Sequence, residues 1–156
     1  MKYKHPAEKS VALVILGTVL VCFSAITIPV QAQSSQEIEL LVFSYEKASY
    51  GSAGKKLFLG CLNCEPSSPI SIINENGKHG PGFIGAMSEQ NLWSVLSPFR
   101  SSIDNKSICN TMADSPPVIV DRKGNFYGRL TVSKFHTQRS RLTIAQLFAT
   151  ALCKSR

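Results

Sequence analysis

The sequence predicts a small α+β domain: two β-hairpins, a turn-rich middle of degenerate repeats, and a C-terminal α-helix packed on the sheet. Three observations predict it. Two stretches rich in branched and aromatic residues each double back after a turn. Between them the composition shifts to Ser, Asn, Gly and Pro. The last residues then carry apolar side chains at helical spacing.

Ahead of that domain, the first 32 of the 156 residues read as a secretory signal. Lys2, Lys4 and Lys9 precede a stretch from Val11 to Ile28 whose one ionisable group is the Cys22 thiol, and Val30-Gln31-Ala32 offers a small residue at a cut before Gln33. The expectation is an exported domain, periplasmic or extracellular, comprising residues 33–156. The alternative is an inner-membrane anchor, because residues 11–28 reach the lower limit for spanning a bilayer. A lipid anchor on Cys22 is disfavoured, since Val21 stands where a small residue is needed and the stretch after Cys22 stays apolar.

The first hairpin is expected over residues 38–62. Ile38 to Tyr45 supplies one strand, Tyr50 to Gly54 the turn residues, and Lys56 to Leu62 the return. The second is expected over 117–132. Pro116-Pro117 cannot donate to a ladder and opens the strand Val118-Ile119-Val120; Asp121 to Asn125 forms the turn, and Phe126 to Val132 returns. Both returning strands share Phe-x-Gly-x-Leu, as Phe58, Gly60 and Leu62 and as Phe126, Gly128 and Leu130. Residues two apart share a face, so the pattern leaves a bare spot where another backbone or ring can approach.

Residues 65–115 are read as stacked turns. Ser71-Ile72-Ile73-Asn74, Asn91-Leu92-Trp93-Ser94 and Ser107-Ile108-Cys109-Asn110 superpose at unequal steps, each giving an apolar pair to the core. A short helix from Ser88 to Leu96 competes with this reading. The C-terminal helix is expected over 143–153, with Thr143-Ile144-Ala145-Gln146 as a capping box and Ile144, Leu147, Phe148, Ala151 and Leu152 as its buried stripe.

Removing the signal leaves four cysteines, Cys61, Cys64, Cys109 and Cys153, an even number in a small exported domain. Three pairings are possible, and Cys61 with Cys64 and Cys109 with Cys153 is preferred. The second bridge would close a loop of about 45 residues, contributing about 4 kcal/mol in the chain-entropy treatment. Cys61-Leu62-Asn63-Cys64 also admits a redox reading and a zinc reading that recruits Cys109 and Cys153, or His79 and His136. The residues after it, Glu65-Pro66-Ser67-Ser68-Pro69, do not open a helix, and no second close-spaced ligand pair exists.

Of 17 basic and 10 acidic residues, Lys2, Lys4, Lys9 and Glu8 leave with the signal, so the mature balance is 14 against 9, or +5. From Arg122 to Arg156 there are eight basic residues and no Asp or Glu. Arg122, Lys123, Arg129, Lys134, Arg139 and Arg141 are therefore the candidate anion-binding residues, with an anionic cell-envelope polymer or a membrane surface as partner. Nucleic acid is disfavoured, because no aromatic-interleaved motif accompanies the charge. No hydrolase, metalloprotease or phosphate-loop motif occurs, so no catalytic residue, metal or cofactor is assigned. Asn74-Glu75-Asn76-Gly77 reads as a plain turn, since it lacks the acidic spacing of a calcium loop. A non-enzymatic binding or structural domain is the first reading; a periplasmic thiol-disulfide oxidoreductase using Cys61 and Cys64 is the alternative.

Taken together, Phe58-Leu59-Gly60-Cys61-Leu62-Asn63-Cys64, the Ser-Ile-x-Asn-x-x-Gly turn from Ser71 to Gly77, Pro116-Pro117-Val118-Ile119-Val120-Asp121 with Gly124-Asn125-Phe126-Tyr127-Gly128, and Leu130 to His136 resemble a family of short, mostly exported bacterial proteins of unknown function. The likeness covers nearly all of the mature chain. Members of that family carry a fuller Ser-Ile-Trp-Asn-x-x-Gly-x-Tyr-Gly-Ser repeat. This chain departs from it at Leu92-Trp93-Ser94 and Pro98-Phe99-Arg100. The resemblance implies the architecture and supplies no activity.

Overall fold

The structure is a computed structural model that describes residues 37–45, 54–82 and 88–155. The expected signal or anchor segment, 1–32, and most of the turn of the first hairpin lie outside the described residues.

Four short strands form one antiparallel sheet: β1 (Leu41–Tyr45), β2 (Lys56–Cys61), β3 (Val118–Val120) and β4 (Phe126–Arg129), in the order β2-β1-β3-β4. The two hairpins meet through their first strands, with Leu41 opposite Val120 and Phe43 opposite Val118. Val42, Leu59 and Ile119 are fully buried, as suits branched and long aliphatic side chains on the covered face of a sheet.

The shared Phe-x-Gly-x-Leu pattern is where both hairpins bend. The register slips opposite Val42 and Phe43 in the first and between Val118 and Val120 in the second, and Gly60 and Gly128 sit at these bulges with φ of 125° and 100°. A side chain would be strained there, and it would also collide. A Cβ on Gly60 would lie 2.5 Å from Ile72 Cγ2 and 3.1 Å from Ile70 O; one on Gly128 would lie 2.6 Å from Ser140 Cα and 3.1 Å from Gln138 O. Through that opening the chain returns in the same way twice. Cys61 pairs in parallel with Ser71, and Arg129 pairs in parallel with Arg139. Cys61 N donates to Ile70 O and Ile72 N to Cys61 O, as Arg129 N donates to Gln138 O and Ser140 N to Arg129 O. Just beyond each glycine, Leu62 N reaches Leu40 O and Leu130 N reaches Pro117 O, the residues that precede β1 and β3. β4 ends at Arg129, although its expected strand extended to Val132; beyond Leu130 the chain leaves the ladder, and Val132 N bonds Ile108 O instead.

The middle is a ladder of three-residue turns. Carbonyls of Ser68, Ser71, Asn74 and Gly77, and again of Ser88, Asn91, Ser94 and Ser97, each accept the amide three residues on. In the same segment the side chains of Ser71, Asn74, Ser88, Asn91, Ser94, Ser97, Ser101, Asp104, Ser107 and Asn110 accept the amide two residues on. These local bonds compete with a helix, and the competing reading of a helix over Ser88–Leu96 does not hold; among the described residues of this segment only Pro98–Arg100 forms a single 3₁₀ turn. Ile72, Leu92 and Ile108, which follow Ser71, Asn91 and Ser107, are fully buried. Trp93 and Cys109 pack partly buried against the same core, so two of the three segments supply the expected apolar pair, whereas Ile73 is exposed.

The helix α1 spans Thr143–Lys154. Its start differs from the expected capping box. Leu142 occupies the cap position without a side-chain bond, and Gln146 Nε2 donates backward to Ser140 O. Its buried face is Ala145, Phe148, Ala149 and Leu152, while Ile144, Leu147 and Ala151 are exposed. The helix is apolar on both stripes, and the stripe that faces inward is the one that seats Phe148 edge-on against Trp93 with centroids 5.5 Å apart. The helix residues Ala145, Phe148 and Leu152 belong to the same core cluster as the sheet residues Val42, Leu59 and Ile119.

Candidate functional site

Both preferred cysteine pairings are present. Cys61–Cys64 and Cys109–Cys153 are disulfides, each with Cα atoms 5.5 Å apart. Cys61 ends β2 and is fully buried; Cys64 is half-buried. Between them Asn63 is committed to structure. Its Oδ1 accepts Leu40 N at 2.7 Å and its Nδ2 donates to Ile38 O at 2.8 Å, holding the entry to β1. Cys64 O accepts Ser71 Oγ at 3.2 Å, which fixes the first turn of the ladder. Residues 65–68 are turns, so no helix N-terminus faces the sulfurs to favour a thiolate. The second bridge joins the end of the ladder to the last turn of α1. Beside it Arg100 reaches the same helix end, donating to Ser155 O at 2.8 Å and to Trp93 O at 2.7 Å.

With all four sulfurs bonded to one another, the zinc reading loses its ligands. Among the described residues no group of three or more His, Cys, Asp or Glu side chains is arranged to hold a metal ion. His79 lies edge-on to Phe58 with centroids 5.0 Å apart. Burial, helped by the neighbouring Lys78 charge, pushes its pKa below the ordinary imidazole value, while a backbone bond to Leu59 acts against the shift. His136 Nδ1 accepts Gln138 N at 3.1 Å, and Nε2 faces Asp114 O at 3.5 Å.

The six candidate basic residues divide into two groups. Arg122 and Lys123 occupy the β3–β4 turn. Arg122 is ion-paired through Nε with Glu39, which holds its guanidinium above the usual arginine value. The turn borders a cleft of about 450 Å³ lined by Glu37, Glu39, Asp121, Arg122, Lys123 and Tyr127, so its charge is mixed. The other four lie along residues 129–141. Arg129 is a clasp: Nη1 donates to Pro116 O at 2.7 Å and Nε to Gln138 Oε1 at 2.8 Å. Arg139 sits beside it through the parallel bridge, half-buried, with Nε unpartnered among the described residues. Lys134 and Arg141 are exposed.

Two features escaped the sequence reading. Asp121, taken only as a turn residue, is buried and accepts bonds from Lys123 N, Asn125 N, Asn125 Nδ2 and Tyr127 Oη at 2.8, 2.9, 2.7 and 3.3 Å. Burial alone would push its carboxyl up, but these four donors together hold it below the usual carboxylate value. The Tyr127 hydroxyl is pushed up by its own burial and by the Asp121 charge. The Asp-x-x-Gly-Asn-x-Tyr spacing was the available signal. The second feature is Phe135, which is 93% exposed between Lys134 and His136.

Among the described residues no helix is long and apolar enough to cross a membrane. Comparison with family models, with curated proteins and with solved structures finds no match.

Proposed function

We propose that the chain is an exported, non-enzymatic binding module whose basic C-terminal segment meets an anionic component of the cell envelope. The observation that carries this reading is the unbroken sign of residues 122–156, together with Lys134 and Arg141 standing exposed. Export is supported by the signal-like pattern of residues 1–32 and by four cysteines joined in two bridges, a state that persists in oxidising compartments. The resemblance to short exported bacterial proteins agrees with it. Thiol-disulfide exchange at Cys61 and Cys64 is the weaker reading, because Cys61 is buried and the intervening Asn63 is tied to the β1 lead-in.

The test is affinity for a lipid-free polyanion, inorganic polyphosphate, as a function of salt. Binding should weaken steeply and log-linearly as salt rises. A double variant, Lys134→Gln with Arg141→Gln, should shallow that dependence. No binding at low salt would overturn the proposal.

A further inference from the structure

Resting on that reading, we propose that residues 133–141 dock on an anionic lipid bilayer, with Phe135 entering the headgroup region and Lys134 and Arg141 meeting lipid phosphates.

The exposure of Phe135 is not that of a frayed end. Its loop is braced on both sides: Val132 N donates to Ile108 O at 2.9 Å, Ser133 N to Thr131 Oγ1 at 3.1 Å, and Arg139 N to His136 O at 3.0 Å. Below it, Arg129 bonds Gln138 and Pro116. A held backbone that turns a phenyl ring outward spends little further backbone entropy when that ring enters an apolar phase. Met112, 81% exposed, stands on the neighbouring turn, whose Asp114 carbonyl meets His136. That adjoining turn carries one exposed acidic residue, Asp114, and residues 133–141 have none.

The combination of charge and ring selects the bilayer. A soluble polyanion is recognised by cations alone and gains nothing from an exposed phenyl. A lipid surface offers phosphates to the exposed Lys134 and Arg141 and hydrocarbon just beneath, where an aromatic tip is stabilised. Charge complementarity comes from the loop itself, which carries Lys134, Arg139 and Arg141 and no Asp or Glu, against one exposed carboxylate, Asp114, on the adjoining turn.

Sedimentation with vesicles separates the possibilities, using phosphatidylcholine alone, phosphatidylcholine mixed with phosphatidylglycerol, and polyphosphate without lipid. The wild-type chain should bind the mixed vesicles and not the neutral ones. Phe135→Ser should weaken vesicle binding about tenfold and leave polyphosphate binding unchanged, whereas Lys134→Gln should weaken both. Phe135→Trp should give a bound-state fluorescence quenched by brominated lipid, with the wild-type chain, whose single Trp93 packs against Phe148, as the reference. Equal vesicle affinity of Phe135→Ser and wild type would overturn the lipid inference and leave the polyanion reading standing. Loss of binding to vesicles and polyphosphate alike would remove both. Phe135-dependent self-association in ultracentrifugation without lipid would assign the ring to a second copy and overturn the inference.

Discussion

His79 shows how one side chain links packing to solution behaviour. Its ring is wedged against Phe58 and its Cβ lies where a side chain on Gly60 would have to go. Burial depresses its folded pKa below 6.5, so the unfolded chain binds this proton more readily than the folded one. The stability that neutral His79 represents is therefore complete above pH 6.5 and is lost as pH falls through the depressed folded value. Asp121 titrates below the ordinary carboxylate range and does not contribute in that window. Urea midpoints measured from about pH 7 to pH 5 should fall for the wild type and stay flatter for His79→Gln. Identical slopes would remove His79 as the cause.

At the scale of elements, the domain's strands and returns are built on two equivalent glycine bulges. Replacing Gly128 by Ala forces a side chain into positive φ and onto the Ser140 backbone, so the loss should be about 2 kcal/mol or more, read as a lower denaturation midpoint. An unchanged midpoint would mean that the return of Ser140 to Arg129 is not fixed by this gap. The glycine's role was legible because Phe-x-Gly-x-Leu occurs twice at strand spacing. The ladder of turns was legible only in outline. Ser71, Asn91 and Ser107 were superposed by their apolar followers, but the three-residue step linking Ser88, Asn91, Ser94 and Ser97 was masked by a pattern that also suits a helix cap. Local side-chain bonds to the amide two residues on decided between them. Phe148 and Leu152 are buried as expected, but Ala145 and Ala149 complete the face in place of Ile144, Leu147 and Ala151, because both sides of the helix are apolar. Contact with Trp93 and the bridge to Cys109 choose between the stripes, and both partners are distant in sequence.

For the whole molecule, charge and cysteines carry the functional account. Both disulfides are the pairing preferred among the three possible, the second because it ties the chain's middle to the C-terminal helix. The sequence did not reveal that Arg122 is neutralised by Glu39 or that Arg129 is a structural clasp, since ion pairs and carbonyl partners 13 to 83 residues away leave no local mark. Of the six candidates, Arg122 is ion-paired with Glu39 and Arg129 is bonded within the fold, while Lys123, Lys134 and Arg141 stand exposed. The most direct test of an exported, doubly bridged module is intact-mass analysis of the chain from its native host, alkylated without prior reduction. The account predicts a product beginning at Gln33 whose four remaining cysteines take up no alkylating agent. A full-length chain with alkylated Cys61, Cys64, Cys109 and Cys153 would contradict it.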